Sequence, residues 1–398
     1  MKTKLTILQL SFKHLLLFII SILSFYCLVA QPEKTQISLK DSLDRAFDLS
    51  DYIINANGFV PIPYIITEPA LGGFGGLLAP VFLKKRAPYI DSVRGERRIT
   101  PVAPDITGGL AGYTLNNTWL LAGFRSGSFK KARIKYLIGV GYANVNMSFY
   151  MKPEILQEEK ELKFNIKGFV AKLQAIKKIA YSNWYAGLNY TFMSTEVKYT
   201  GDTRWEHFAD SLQINNQVSQ PGIVVELDKR DNVFTPDKGI KFHVEANCSD
   251  EVFGSDFDFW RFNYYTYMYL PLFQNFVGGL RIDGQQIAGG DPPFYLKPYI
   301  DMRGVPAVRY QGNADILSEL ELRWDFTKKK RWSLVGFSGA GKAFDEWQEF
   351  RSADWIISYG AGFRYLLARK FKLRMGIDLA HSPDTWAYYI VFGSSWSK

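Results

Sequence analysis

The sequence predicts an all-β fold: a transmembrane antiparallel β-barrel of 16 strands with a short N-terminal periplasmic or lumenal segment. The first observation behind this is alternation. Between Ala314 and Phe326, Ile316, Leu320, Leu322, Trp324 and Phe326 fall on one parity, while Asp315, Glu319, Glu321, Arg323 and Asp325 fall on the other. A period of two is a strand with one apolar and one wet face. Charges opposite bulky hydrocarbon suit a barrel with lipid outside and water inside. The second observation is composition: 16% aromatic residues and 33 Gly with only 7 Met match a lipid-facing sheet with aromatic girdles. The third is a mean hydropathy of -0.11. That is too polar for a helical membrane protein, but a barrel keeps half of every strand in water.

The chain opens on a targeting segment. Lys2, Lys4 and Lys13 precede an uncharged run from Leu15 to Ala30 that ends Leu28-Val29-Ala30 before Gln31, so residues 1–30 are expected to be a cleaved signal peptide. The run is shorter than the roughly 20 residues of a comfortable spanning helix. Phe25-Tyr26 ahead of Cys27 are too large for lipoprotein processing. Losing the three lysines lowers the formal charge from +9 to +6. Cys248 is then the one remaining cysteine, and no intramolecular disulfide can form. After Ala30 no segment approaches the roughly 18 apolar residues of a transmembrane helix. An exported chain with strong strand signals and no such helix belongs in the outer membrane of a diderm bacterium.

Residues 31–69 follow as a polar N-terminal segment. Within Asp41 to Asn57, the residues Leu43, Ala46, Phe47, Ser50, Ile53 and Ile54 recur at roughly helical spacing, with Asp41 as the cap. Pro61, Pro63 and Pro69 end any helix. Three places are open to this helix: the lumen, as a plug; the inner leaflet; or disordered chain.

The barrel is expected over residues 70–398. Its first strand, Ala70 to Lys84, contains Gly72-Gly73-Phe74-Gly75-Gly76, which lacks the preceding strand and following helix of a nucleotide fingerprint. Further strands are predicted at 106–114, 118–128, 131–151, 162–177, 181–198, 219–229, 239–249, 256–270, 274–287, 313–326, 331–342, 355–366, 370–380 and 385–396, fifteen in all. Single-chain bacterial barrels have even counts, and 131–151 is twice the roughly 10 residues needed to cross. One further strand is therefore expected in the first third.

Facing follows from parity. In 370–380, Phe371, Leu373, Met375, Ile377 and Leu379 are expected to face lipid, with Lys372, Arg374 and Asp378 in the lumen. In 239–249, Phe242, Val244, Ala246 and Cys248 oppose Lys241, His243, Glu245 and Asn247. The lumen is thus expected to be polar, with charges of both signs. Thr327 to Lys330 and Leu367 to Lys370 are short and basic and mark the periplasmic rim, while 199–218 and 288–312 are long and belong outside.

Three stretches carry a resemblance to a known family. Arg303-Gly304, Arg309-Tyr310-Gln311-Gly312-Asn313 and Glu321-Leu322-Arg323 resemble the lumenal-loop signature of the outer-membrane assembly-factor barrels, the BamA/TamA superfamily, also called bacterial surface antigens. Asp228 to Gly239, which includes Arg230, Asp231 and Pro236, resembles a second signature found between two barrel strands. Trp386, Tyr388, Ile390, Phe392 and Trp396 share one parity and resemble the C-terminal recognition signal of such barrels, with Ser397-Lys398 overshooting it. The resemblance implies that the long loop folds into the lumen and docks Arg303. Two positions depart from the pattern. Val305 stands where an aromatic is usual, and Gly339, in Phe337-Ser338-Gly339-Ala340-Gly341, stands where an aspartate is usual. The docking partner is therefore expected to be Glu319 or Glu321, with Asp378 as a further candidate. A seam is expected between the first and last strands, involving Gly72, Gly73, Gly75, Gly76, Phe392 and Trp396. The glycines there either weaken the edge or fit a tight corner. A POTRA domain, the periplasmic module of the best-known relatives, does not fit within residues 31–69.

No catalytic set is visible. Of His14, His207, His243 and His381, one leaves with the leader, two sit in expected loops or strand ends, and His243 faces the lumen without a serine and an orienting partner. Metal sites lack Cys or His pairs, and no cofactor is expected. Asp228 and Asp231 read as a solvated turn. Three functions remain: non-enzymatic insertion or translocation of protein or lipid at the seam, helped by periplasmic or lipoprotein partner subunits; a passive channel or structural barrel; and an outer-membrane lipolytic enzyme. Outer-membrane lipid is the expected surrounding, and no nucleic-acid partner is expected.

Overall fold

Residue-by-residue alternation becomes a hydrogen-bonded ladder in the computed structural model, which describes residues 38–55, 58–66, 69–71, 73–84, 86, 89–93, 96–100, 105–151, 160–202 and 215–396. The leader expected over residues 1–30, together with Gly72 and His207, lies outside them. A helical turn, α1 (Ser50–Asn55), precedes the sheet. Strands β1 (Phe59–Ile66), β2 (Gly75–Lys84), β5 (Asp105–Thr114), β6 (Trp119–Phe129), β7 (Ile134–Met151) and β8 (Lys160–Lys178) make up its first part. Strands β9 (Trp184–Tyr199), β10 (Asn215–Asp228), β11 (Gly239–Ser249), β12 (Phe259–Phe273) and β13 (Phe276–Ala288) follow. Then come β14 (Ala314–Trp324), β15 (Trp332–Phe344), β16 (Ile356–Ala368), β17 (Leu373–His381) and β18 (Trp386–Phe392). These form one 16-stranded antiparallel sheet in sequence order, while β3 (Tyr89–Val93) and β4 (Glu96–Thr100) pair separately as a hairpin.

The sixteenth strand is β1, ahead of the expected start at Ala70. The long run after Arg133 stays a single strand, β7, of 18 residues. Pro61 and Pro63 concealed β1, because a proline cannot donate to a ladder. The register resolves this. Leu83 donates its N–H to the Gly58 carbonyl, so the even-numbered residues of β1 bond to β2. Phe59, Pro61, Pro63 and Ile65 point the other way, toward an edge with no strand paired to it. Edge strands are where prolines are tolerated.

Antiparallel partners share a face, so the register sorts the two walls. Leu121, Leu188, Ile223 and Leu320 stand on the outside with 60–66% of their surface exposed. Arg281, Glu319, Arg364 and Asp378 stand on the inside, at 5% or less. The inner wall is not uniformly polar, however. From β1 to β7 the inward positions include Ile62, Leu77, Leu110, Leu120, Phe124 and Leu137, which pair with Ala79, Gly112, Ala122, Gly112, Gly108 and Ser126 respectively. Charge is concentrated on the wall from β10 to β17.

Two further expectations are corrected. Phe371 and Leu373 do not face lipid. Residues Arg369–Phe371 form a 3₁₀ turn and Lys372 takes φ 52°, which breaks the parity there. Both side chains instead join a cluster with Ile53, Val60 and Ala368. The predicted helix over 41–57 shrinks to Ser50–Asn55, and Asp41 does not cap it.

Candidate functional site: the lumenal arginine network and the seam

The loop between β13 and β14 turns back into the barrel and delivers Arg303 to a set of acids. Its Nε donates to Glu319 Oε1 at 3.1 Å. Its Nη1 donates to Glu321 Oε2 at 2.9 Å, Asp378 Oδ2 at 3.0 Å and Ser395 Oγ at 3.1 Å. The guanidinium lies 3.6 Å from the Phe337 ring centroid. Neighbouring arginines complete the network: Arg281 bonds Glu319 at 2.8 Å and Asp283 at 2.7 Å, and Arg364 grips Asp378 at 2.5 and 2.8 Å. Charges this deep persist only when each has a hydrogen-bonded counter-charge.

Gly304 adopts φ 88°, and a Cβ there would lie 3.2 Å from Ala380 Cβ; its N–H donates to Tyr389 Oη at 2.9 Å. The loop backbone is thus fastened to the last hairpin through the Tyr389 hydroxyl. Val305 packs with Ile300, Met302 and Leu317. Gly339 lies directly beneath the loop, where a Cβ would come within 2.6 Å of Met302 Sδ and 2.7 Å of Glu319 Cγ. An aspartate at this position would have to displace Met302 and Glu319, and carboxylates from β14 and β17 stand around the arginine instead. Farther out, Arg309 pairs with Asp384 at 3.4 Å and Tyr310 donates to it at 2.8 Å. The Gly312 N–H donates to the Pro298 carbonyl, and the Asn313 N–H to Asp345 Oδ1.

The turn between β10 and β11 folds across the periplasmic mouth. Asp228 takes a forked bond from Arg230, and Asp231 accepts the Asp237 and Lys238 backbone N–H groups. Gly239 has φ 114°, and a Cβ would sit 2.3 Å from the Lys229 carbonyl oxygen. Arg323 of β14 reaches this turn, donating to the Pro236 carbonyl at 3.3 Å and pairing with Asp237. Lys372 bonds Asp231 at 2.8 Å and Asp237 at 2.7 Å. Burial works to raise both carboxyls, but Lys372 and Arg323 hold them below the usual aspartate range.

The N-terminal segment is clamped to the same mouth. Arg331, between β14 and β15, donates to Asp44 at 2.7 and 3.0 Å, to Asp48 at 3.0 Å and also to Asp41. Arg369 bonds Asp44 at 2.9 Å and Asp41, while Lys370 bonds Asp51 at 2.7 Å. Ile53 is 1% exposed in the apolar cluster beside it. Sequence reading missed this clamp. Its signal was charge complementarity between Asp41, Asp44, Asp48 and Asp51 and the basic turns Lys328 to Arg331 and Arg369-Lys370.

The seam differs from expectation. β1 and β18 approach each other without strand pairing. Gly75 and Gly76 open β2 opposite Ile66 and Ile65, and Gly73 lies in the turn before it at φ 78°, so these glycines sit one strand in from the free edge. Phe392 ends β18 on its outer face. Trp396 leaves that face altogether. Gly393 takes φ 81°, the strand stops, and Trp396 turns inward to 2% exposure against Tyr267 and Tyr269.

The Omp85 superfamily domain matches residues 122–385, about two thirds of the chain. The chain belongs to the Omp85 superfamily. No protein of curated function matches it. Among solved structures it is similar to BamA from Haemophilus ducreyi lacking POTRA domains 1–3, at 12% identity and TM-score 0.55, covering 84% of this chain and 69% of that one. It is also similar to CdiB from Escherichia coli, at 9% identity and TM-score 0.54, covering 83% of this chain and 62% of that one. At these identities the likeness is one of fold. The family match makes the protein an Omp85 barrel of the outer membrane of diderm bacteria.

Within this Omp85 barrel a second polar set lies apart from Arg303. His243 sits 3.6 Å from both Glu226 and Glu245, stacked on Tyr265. Lys135 and Lys172 pair with those two glutamates. Among the described residues no group of three His, Cys, Asp or Glu side chains is arranged to hold a metal.

Proposed function

We propose that this barrel acts without covalent chemistry in the insertion or transport of protein or lipid at the outer membrane, working at the β1–β18 seam with partner subunits. The observation that carries this reading is the seam itself: every other neighbouring pair of the sheet is laddered, and here the ladder is missing. Pro61 and Pro63 remove two donors from the open edge of β1, which weakens that edge as a template for an incoming strand. The apolar inner wall next to it supports a lipid or other oily passenger.

The test is to lock the seam. Single cysteines at Pro61, Pro63 and Ile65 are combined in turn with cysteines at Tyr388 and Ile390, in a Cys248→Ser background. The combination that cross-links on oxidation is then assayed in the native host for folded outer-membrane proteins and surface-exposed phospholipid. Loss that dithiothreitol reverses supports the reading. Normal levels of both with the seam fully cross-linked would overturn it. A passive pore predicts instead a steady conductance in planar bilayers that cross-linking leaves unchanged.

A further inference from the structure

On the bilayer side of the barrel, near the periplasmic ends of β2, β5 and β6, one arginine breaks the apolar rule. Arg125 shares its face with Leu121 and Phe129, and its ladder partners are Thr107 and Ile138. An arginine on the lipid face of a barrel costs about 2–4 kcal/mol at the midplane and close to nothing at the interface. Arg125 lies toward the interface. Its Nε donates to Tyr136 Oη at 3.0 Å, and Tyr136 stacks on Phe129, whose ring centroid is 4.7 Å away, at the rim. No partner is present among the described residues for its two terminal amino groups, nor for the Lys84 ammonium on the same face.

These groups line a cavity of about 560 Å³ together with Ile54, Phe82, Thr107 and Asp105, which Gly58, just ahead of β1, and Phe371 help to close. Asp105 is already neutralised: Arg86 pairs with it, and it accepts the Ser128 N–H at 3.2 Å. What remains is two cations and a hydroxyl beside exposed Ile54 and Phe82, at headgroup depth. Among the described residues the carboxylate beside the Arg125 guanidinium is Asp105, which Arg86 already engages; the two cations suit a phosphate, and the apolar rim suits the acyl chains attached to it.

We propose that this cavity binds a glycerophospholipid of the inner leaflet. Arg125 and Lys84 hold its phosphate, Thr107 donates a hydroxyl, and Ile54 and Phe82 contact its chains. Arg125 is oriented for this by Tyr136. The site reaches from β6 to Gly58, just ahead of β1, and its ligand is counted independently of what passes at the seam.

The experiment uses the full chain purified in a non-phosphate detergent and titrated with phosphatidylglycerol or phosphatidylethanolamine, with bound lipid counted by native mass spectrometry. One tightly held phospholipid is expected on the wild type. Arg125→Gln should weaken it about tenfold, the size of one charge-assisted hydrogen bond, and Arg125→Gln with Lys84→Gln should weaken it further. Lys130→Gln with Lys131→Gln, on the adjacent turn outside the cavity, should leave it unchanged. Folding of each variant is checked by its heat-dependent gel shift. Equal lipid retention in the double variant, or equal loss in the turn variant, would overturn the site. Displacement of the lipid by millimolar inorganic phosphate would also overturn it, by assigning the pocket to the free anion.

Discussion

Removing Arg303 is the most direct probe of the lumenal network. Its side chain is 8% exposed and faces three carboxylates, of which Glu319 and Asp378 are fully buried. After Arg303→Ala, Glu319 keeps Arg281 and Asp378 keeps Arg364. Glu321, 15% exposed, loses its ion-pair partner. Breaking a buried pair from one side costs about 3–5 kcal/mol. Because only one acid is stranded and it has some access to lumenal water, the lower end, about 3 kcal/mol, applies. At roughly 2 °C per kcal/mol for a domain this large, the unfolding midpoint falls by about 6 °C. The assay is the temperature at which the folded band converts to the unfolded band in SDS gels. Adding Glu321→Gln removes the stranded charge and should restore part of the loss, a non-additive coupling of about 1–2 kcal/mol. An unchanged transition in Arg303→Ala, or strict additivity in the double variant, would refute the reasoning.

Two other perturbations follow from the periplasmic face and the seam. Arg331→Gln removes the centre of the N-terminal clamp and should speed tryptic cleavage at Arg45 about tenfold, equivalent to about 1–2 kcal/mol at a partly solvated rim. In the wild type the same clamp should hold from neutral pH down to about 4 and open between about 4 and 2. The reason is that the Arg331 hydrogen bond holds Asp44 at about 2, so its contribution is complete above the ordinary aspartate range and lost as protons are added; cleavage rate against pH checks the window. Replacing Pro61 and Pro63 with valine restores two donors facing β18. At about 1 kcal/mol for each new bond, the gel-shift midpoint should rise by about 2–4 °C, and no rise would mean the edges do not meet.

How much of this could be read from the sequence depended on whether the signal was local. Alternation is local, so the walls around Leu320 and Glu319, or Ala246 and Glu245, were readable from parity alone. The Arg303 neighbourhood was narrowed to Glu319, Glu321 and Asp378, because the β14 acids lie on the strand that follows the loop. Phe337, opposite Glu321 on the neighbouring strand, and Ser395, brought in by the turn at Gly393, were missed, since cross-strand register and that inward turn leave no local signal. β1 was missed because Pro61 and Pro63 contradict strand formation unless the strand has an open edge, and an edge is a property of the whole sheet. The glycines of 72–76 were assigned to the seam for the same reason: one unseen strand moved every neighbour along by one. The clamp joins residues some 290 positions apart, Asp41 and Arg331, which no windowed pattern can detect.

The inward turn at Gly393 gives the segment after β18 a task usually left to interior strands. Ser395 touches Arg303, Arg364 and Asp378, and Trp396 fills the space above Gly279 that any larger residue there would occupy. Residues 393–396 therefore act as a bolt drawn across the loop once it sits in its socket. Without them the loop has only part of its fastening, so the seating of the loop and the inward turn after β18 are coupled.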